Sequence, residues 1–283
     1  MLSICIPSKT EKFLDNTIRD VLENATGEIE VFPILDGYDC PRIDDPRVHY
    51  IVMPETPYMK KRHGINKMVE MCKGDYVATL DAHCLVAKGF DEQLIKDHKP
   101  NWVQVPQRRR LDAENWCEQD QCGRPPIDYE YFMWNAVYKD RGLHGYKWDS
   151  RTLERKDIMI DDILTMQASM WFMTKDWYIK RGFMKTDGYT GWGAEAEEIC
   201  LETWKNGGEC KVNKNTSYMH LHKGKQYGRM YHLGEGERRA SYAYSYDYWV
   251  NENKDFFKKI INKFMPLPNW PENWEELLWS EKN

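Results

Sequence analysis

Segments with the pattern of buried strands alternate with segments of helical periodicity over the first 83 residues, and this alternation constrains the fold most. The strand-like segments are 2–7, 29–35, 48–53 and 76–80, and the helical segments are 11–24 and 58–72. The first strand ends at Pro7, and the helices end near Gly27 and Gly74, as the preferences of proline and glycine predict. This β-α-β-β-α-β order predicts an α/β fold with a mixed, largely parallel central sheet flanked by helices.

The rest of the chain shows weaker patterns. Further strands are predicted over 102–105, 168–174, 211–212 and 217–222, with helices over 195–205 and 256–264. Residues 107–160 are polar and aromatic, and we interpret them as a long loop region over one face of the sheet. We expect an α/β domain over residues 1–230, with residues 231–283 forming a helical and aromatic extension packed on it.

The composition argues against several classes of protein. The 40 basic and 45 acidic side chains give a net charge of −5, which is no global sign of nucleic-acid binding. Charged residues follow the apolar start at once, which argues against a secretion signal, and no apolar run approaches the roughly 18 residues of a membrane span. The eight cysteines form no C-x-x-C pair, so a reduced, cytoplasmic protein without a thiol metal site is expected.

The strand at 76–80 is followed directly by Asp81-Ala82-His83. Residues i and i+2 of an extended segment point to the same side, so Asp81 and His83 are expected to converge outside the carboxyl end of this strand. Open α/β sheets bind their ligands at that end. One carboxylate oxygen and one imidazole nitrogen suit Mn²⁺, and Mg²⁺ less well; a cation held by few protein groups keeps positions for a diphosphate.

Two later segments carry further candidates. Glu195 and Glu198 lie three residues apart at the start of a predicted helix, where a carboxylate can accept hydroxyl hydrogens or act as a general base. His220 and His222 lie on one face of a predicted strand, so either could complete the metal site. Lys223 follows them and would offset the charge of a diphosphate.

These segments resemble two related groups of enzymes. Leu80 to Cys84 resembles the LDSHCE stretch of polypeptide N-acetylgalactosaminyltransferases and the DAHC of bacterial and phage family 2 glycosyltransferases. Residues 191–204 resemble the WGGENLE…W segment of the former enzymes, and residues 220–223 resemble their H-x-x-R motif. The resemblance implies a glycosyltransferase with the GT-A fold.

The resemblance also implies roles for the candidates. His220 would be the third metal ligand, with His222 as its competitor, and Lys223 would contact the diphosphate. Glu195 falls on the sugar-contacting glutamate and Glu198 on the second acid. Family 2 enzymes often show Glu-Asp here, so Glu195, Glu197 and Glu198 stay open as the base.

A nucleotide-sugar site is implied as well. The residues assigned to it are Pro7, Ser8, Asp36, Arg62, Asn66, Trp192, Lys223 and Tyr227. In such enzymes the first strand leads to the base, and Asp36 would accept from the uracil imide. Arg62 and Asn66 lie one helical turn apart and would reach the nucleotide. Tyr227 lies where a mobile lid would follow.

The combined pattern predicts transfer of a sugar from a nucleotide-diphosphate sugar, with UDP favoured, to a hydroxyl acceptor, using Mn²⁺ or Mg²⁺. The alternative is a phage-type enzyme of the host cytoplasm that glycosylates hydroxymethylated pyrimidines in DNA, held by Arg108 to Arg110 and the aromatic stretch 129–148. A nucleotidyltransferase is less expected because residues 8–11 lack a glycine-rich basic loop. A non-catalytic sugar-binding protein is less expected because the candidate acids and histidines are all present.

Overall fold

The computed structural model describes residues 1–54, 61–120, 122–138, 143–189, 193–228 and 235–280. The strands in these residues are β1 (Leu2–Ser8), β2 (Ile29–Asp36), β3 (Ile51–Met53), β4 (Tyr76–Leu80), β5 (Cys84–Val86), β6 (Trp102–Asp112), β7 (Cys117–Glu118), β8 (Glu130–Phe132), β9 (Gly145–Lys147), β10 (Ile160–Asp162), β11 (Met170–Thr174) and β12 (Glu209–His220). The helices are α1 (Leu14–Asn24), α2 (Lys61–Met71), α3 (Phe90–Lys96), α4 (Trp134–Tyr138), α5 (Asp149–Glu154), α6 (Lys175–Lys180), α7 (Glu195–Lys205), α8 (Gly224–Tyr227), α9 (Glu235–Tyr246), α10 (Lys254–Phe264) and α11 (Trp274–Trp279), with a π-helix over Asp247–Glu252.

A mixed sheet with the order β10-β12-β6-β11-β4-β1-β2-β3 forms the centre of the molecule. β1 pairs in parallel with both β2 and β4, and every residue of β1 and β2 is buried, as in sheets covered on both faces. β11 runs antiparallel to β4 and β6, whereas β12 runs parallel to β6. The predicted α/β class with a largely parallel sheet is confirmed.

The carboxyl ends of four central strands lie at one edge of this sheet. Ser8 ends β1 and Asp36 ends β2, in a parallel pair whose register joins Ser8 to Leu35. Asp81 follows β4, and its backbone N–H donates to the carbonyl of Ser169 over 2.8 Å. Because β12 runs in the same direction as β4, its last residue, His220, reaches the same edge.

The interpretation of residues 107–160 as a loop region is wrong. β6 continues to Asp112, β7, β8, β9, α4 and α5 follow within that range, and β10 begins at its last residue. The strand continues through three arginines because β12 pairs alongside it, with Tyr218, Met219 and His220 opposite Arg108 to Arg110. Neighbouring side chains also supply partners for the guanidinium groups, which a sequence pattern does not reveal.

A bulge interrupts the pairing of β12 with β6. Asn213 lies opposite Pro106 and Ser217 lies opposite Gln107, so β12 has three additional residues at this point. The sequence predicts two short strands here, and the structure joins them into one irregular strand over Glu209–His220.

The C-terminal helices pack on the sheet domain. Trp249, Phe257 and Ile261 belong to the same buried apolar cluster as the central strands. The indole N–H of Trp270 donates to the carbonyl of Phe132 over 2.7 Å. The helix predicted over 256–264 corresponds to α10, and α11 lies in the last part of the predicted extension. The predicted boundary at residues 230 and 231 lies outside the described residues.

Candidate active site

Three predicted metal ligands lie together at the carboxyl edge of the sheet. Ligand atoms of Asp81, His83 and His220 all lie within 4.8 Å of one another. Asp81 Oδ2 is 3.3 Å from His220 Nε2, and the two imidazole centroids are 4.8 Å apart. Pairing of His220 with Cys84 of β5, and the 3.2 Å hydrogen bond from Leu221 N–H to the His83 carbonyl, hold the two histidine segments side by side.

The donor set fits a divalent cation. His83 Nδ1 and His220 Nε2 are buried and have no hydrogen-bond partner among the described residues. Burial and the charge of Arg108 lower the pKa of His220 well below its ordinary value, and a neutral imidazole is the form that binds metal. Burial raises the pKa of Asp81, but the charge of Lys61 and the nearby imidazoles of His220 and His83 outweigh it, so this pKa is lowered and the carboxylate is ionised. One carboxylate and two imidazoles suit Mn²⁺ and similar ions.

Arg108 distinguishes the two competing histidines. Its side chain is 1% exposed, and its Nη2 donates to His220 Nδ1 over 2.9 Å and to His222 Nε2 over 3.0 Å. Arginine has no acceptor, so both nitrogens accept, and the proton of a neutral His220 is then on Nε2, which faces Asp81. A cation at Nε2 would require Arg108 to release Nδ1 and the proton to move there, whereas the Nε2 of His222 is occupied by Arg108. The structure groups His220, and not His222, with Asp81 and His83.

Lys61, at the start of α2, lies beside this cluster. Its Nζ is 3.4 Å from Asp81 Oδ1, and its side chain is 14% exposed. Burial lowers the pKa of Lys61, but the charges of Asp81 and Glu195 outweigh burial and raise it, so the ammonium is charged. Helix α2 approaches β2 closely at Gly64, where a Cβ atom would lie 2.6 Å from Ile34. This close packing fixes the backbone that carries Lys61.

Glu195 lies at the first turn of α7, after a tight turn with positive φ at Gly193 and Ala194. Its Oε2 accepts the Gly193 N–H over 2.8 Å. Its Oε1 is buried and has no partner among the described residues. The charge of Glu195 is among those that raise the pKa of Lys61, the lysine that contacts Asp81. An oxygen in this position can accept a hydroxyl hydrogen.

Comparison with known proteins agrees with this geometry. Residues 3–141 match the family model described as Glycosyl transferase family 2. The chain is also similar to the crystal structure of GalNAc-T7 with UDP, GalNAc and Mn²⁺, with a TM-score of 0.70 at 17% sequence identity. The chain therefore has the GT-A fold, and its first half resembles family 2 glycosyltransferases. The structural match covers 98% of this chain and 54% of the GalNAc-T7 chain, so this chain spans about half the length of that protein. No curated protein matches it significantly in sequence.

The residues predicted to bind a nucleotide sugar lie partly at the same edge. Pro7, Ser8 and Asp36 are buried at the ends of β1 and β2. The Ser8 hydroxyl forms a hydrogen bond with the hydroxyl of Tyr38, a residue that the sequence patterns do not indicate. Trp192 lies outside the described residues.

Arg62 and Asn66, which the sequence predicts to contact a nucleotide, form hydrogen bonds with other parts of the protein in this structure. Arg62 is buried, ion-paired with Glu198, and donates to the Gly193 carbonyl over 3.1 Å. Asn66 donates to the Met184 carbonyl over 2.9 Å and accepts from Tyr178 over 2.6 Å. These contacts connect α2 to α6, to α7 and to the segment between them, and a contact of Arg62 or Asn66 with a nucleotide stays a prediction.

Lys223 and Tyr227 are also paired in the described structure. The Lys223 ammonium contacts both carboxylate oxygens of Glu11, and Glu11 Oε2 lies 3.6 Å from His83 Nδ1. Lys223 is thus one side chain removed from the metal-ligand cluster. The Tyr227 hydroxyl donates to Glu114 over 2.6 Å, and its ring packs on Phe13.

Four residues of the site were not predicted: Glu11, Tyr38, Lys61 and Arg108 as a partner of histidine. Lys61 and Arg108 stand in basic runs, which are usually solvated surfaces. Each of these residues is identified by a contact with a residue far away in the sequence; Arg108 and His220, for example, are 112 positions apart.

Among the helices in the described part of the chain, none has the length and apolar character of a membrane span.

Replacing each histidine separately tests the ligand assignment. His220→Ala is expected to weaken Mn²⁺ binding in the presence of UDP by at least about 100-fold, because it removes a ligand. His222→Ala is expected to weaken it by less than about 10-fold, because His222 reaches the cluster only through Arg108. Isothermal titration calorimetry measures both. Equal losses in the two variants would contradict the assignment of His220.

Glu198 is expected to stabilise the fold rather than to take part in transfer. Its side chain is fully buried, is ion-paired with Arg62, and accepts the Lys185 N–H over 2.7 Å. Glu198→Gln leaves the buried Arg62 without its counter-charge, so unfolding in urea should show a loss of about 3 kcal/mol. Glu70→Gln, on the exposed face of α2, is the control and should change stability by less than about 0.5 kcal/mol. A Glu198→Gln protein of unchanged stability would contradict this role.

Proposed function

We propose that the chain transfers a sugar from a nucleotide-diphosphate sugar, with UDP favoured, to a hydroxyl acceptor, and that a divalent cation held by Asp81, His83 and His220 is required. The observation that carries the proposal is the convergence of these three side chains at the edge where β1, β2 and β4 end. Open α/β sheets bind nucleotides at this edge. The similarity to a structure described as containing UDP, GalNAc and Mn²⁺ supports the same chemistry.

The cation would offset the negative charge that develops on the leaving diphosphate when the glycosidic bond breaks. Mn²⁺ is our first choice because two of the three donors are imidazoles, and Mg²⁺ is the second. Lys61 and Lys223 add positive charge beside the same site. To contact a diphosphate, Lys223 must either leave Glu11 or divide its ammonium hydrogens between Glu11 and the diphosphate.

Glu195 is our candidate for contact with the reacting sugar. Its Oε2 is held by the Gly193 N–H, which leaves the buried Oε1 to accept a hydroxyl hydrogen. The same oxygen could take a proton from an acceptor hydroxyl that lies within hydrogen-bond distance. Glu197 accepts the Gly145 N–H over 3.1 Å, and burial raises its pKa to about 7, so it is the alternative base.

We do not extend the proposal to DNA as the acceptor. The arginines that would bind its phosphates are engaged elsewhere: Arg108 is buried between two histidines, and Arg109 is bound to Gln107 and Glu118. Arg110 donates to the carbonyl of Pro125. DNA containing hydroxymethylated pyrimidines is therefore one arm of the test.

The proposal is tested by mass spectrometry of products. The protein is incubated with a panel of UDP-sugars, Mn²⁺ and three acceptor types: glycans, peptides and hydroxymethylated DNA. We expect an acceptor to gain the mass of one sugar, and the gain to disappear when the cation is chelated. Calorimetry with UDP and Mn²⁺ provides a readout that does not depend on the acceptor. No UDP binding with or without Mn²⁺ would contradict the proposed donor.

A further inference from the structure

An ammonium group contacts the carboxylate proposed to bind the metal ion, on the oxygen other than the one that faces His220. Lys61 Nζ is 3.4 Å from Asp81 Oδ1, on the carboxylate whose other oxygen, Oδ2, lies 3.3 Å from His220 Nε2. Lys61 is mostly buried, so solvent screens this ion pair only weakly. Before any cation binds, Asp81 already has a counter-charge supplied by the protein.

The backbone of Lys61 has little freedom to withdraw. Gly64, one turn further along α2, packs against Ile34 without room for a side chain. Arg62, the next residue, is held by Glu198 and the Gly193 carbonyl. Lys61 can therefore move its ammonium only by rotating its own side chain, and it stays within reach of the site.

The charges around the cluster are already balanced. The negative groups are the carboxylates of Asp81, Glu11 and Glu195, and the positive groups are those of Lys61, Lys223 and Arg108. Three negative and three positive groups cancel formally. A divalent cation alone would add two positive charges beside a buried ammonium, whereas a cation together with a diphosphate would not.

We propose that Lys61 is an internal counter-ion of Asp81 that weakens binding of the metal ion alone and thereby couples metal binding to binding of the nucleotide diphosphate. This inference rests on the proposed function. When both ligands are present, the Lys61 ammonium pairs with the phosphate oxygens instead of with Asp81, and the Asp81 carboxylate then binds the cation. The protein then binds the metal and the diphosphate as a pair and rejects free metal ions.

Calorimetric titrations of Mn²⁺ with and without UDP test the proposal. In the wild-type protein, UDP is expected to tighten Mn²⁺ binding about 100-fold, near the upper end of coupling between two sites. Lys61→Met should tighten binding of Mn²⁺ alone at least about 10-fold, because it removes a nearby positive charge from Asp81. The same variant should reduce the coupling by a similar factor. Lys61→Arg, which keeps the charge, should behave like the wild type.

Two further variants separate charge from structure. Lys67→Met makes the same substitution on the exposed face of α2 and should leave both titrations unchanged. Lys61→Gln removes the charge but stays polar, and it replaces Lys61→Met if that variant does not fold.

If the wild type binds Mn²⁺ with UDP but neither neutral variant gains affinity for Mn²⁺ alone, the counter-ion role is overturned and the proposed function stands. If the wild type does not bind Mn²⁺ even with UDP, both proposals fail.

Discussion

Asp81→Asn is expected to reduce sugar transfer by at least about 1000-fold and to remove the dependence of UDP binding on Mn²⁺. Asparagine has nearly the same shape, but it lacks the charge that holds a divalent cation, and hard cations bind neutral amide oxygens less well than carboxylates. The substitution also leaves the charge of Lys61 without its partner at 3.4 Å, which further disfavours a cation at this position.

Calorimetry of UDP with and without Mn²⁺ and a coupled transfer assay measure the two effects. Asp75→Asn is the matched control, because Asp75 immediately precedes the opposite end of β4 and is 84% exposed. Thermal unfolding shows whether each variant is folded. An Asp81→Asn protein that binds UDP with the same Mn²⁺ dependence as the wild type would show that the cation lies elsewhere.

Glu195→Gln is expected to lower the turnover number at least about 100-fold while changing the affinity for UDP less than about threefold. The carboxylate lies at the start of α7, and we propose that its buried Oε1, which has no partner among the described residues, accepts from a sugar or acceptor hydroxyl. UDP lacks the sugar, so its affinity does not report this contact, whereas an interaction made only during transfer affects turnover.

The comparison with Glu198→Gln makes this prediction specific. That variant alters a buried ion pair with Arg62, so its main effect should appear in unfolding and not in the turnover of the folded fraction. Equal losses of turnover in two stably folded variants would contradict separate roles for the two glutamates. Unchanged turnover in Glu195→Gln would remove it from the reaction and favour Glu197.

The parts of the site that the sequence predicted depend on local patterns. Asp81 and His83 follow a short apolar strand as predicted, but residues 82 and 83 form a turn into β5, so the extended i, i+2 geometry expected from the sequence is not what brings them together. Glu195 begins a helix whose predicted bounds agree with α7. Local patterns are enough to find these residues, because each follows or begins a short element with a clear pattern.

The remaining parts depend on contacts between distant segments. Glu11 and Lys223 are 212 positions apart, and Arg62 and Glu198 are 136 positions apart. Arg62 stands in a basic run that suggests a ligand contact, but tertiary packing gives its guanidinium a buried carboxylate instead. Only the fold decides which charged side chains remain available for ligands.

The bulge in β12 makes the length of a loop part of the metal site. Side chains alternate between the two faces of a strand, so an odd number of additional residues reverses which positions face the site beyond the bulge. Deleting one residue from 214–216 keeps His220 opposite Arg110 if the bulge shortens to two additional residues. If the bulge instead keeps three additional residues, Leu221 takes the place of His220, and an apolar side chain faces Asp81 with every proposed ligand still present in the sequence. The length of the bulge, and not the presence of the histidine alone, therefore decides whether the third ligand reaches the site.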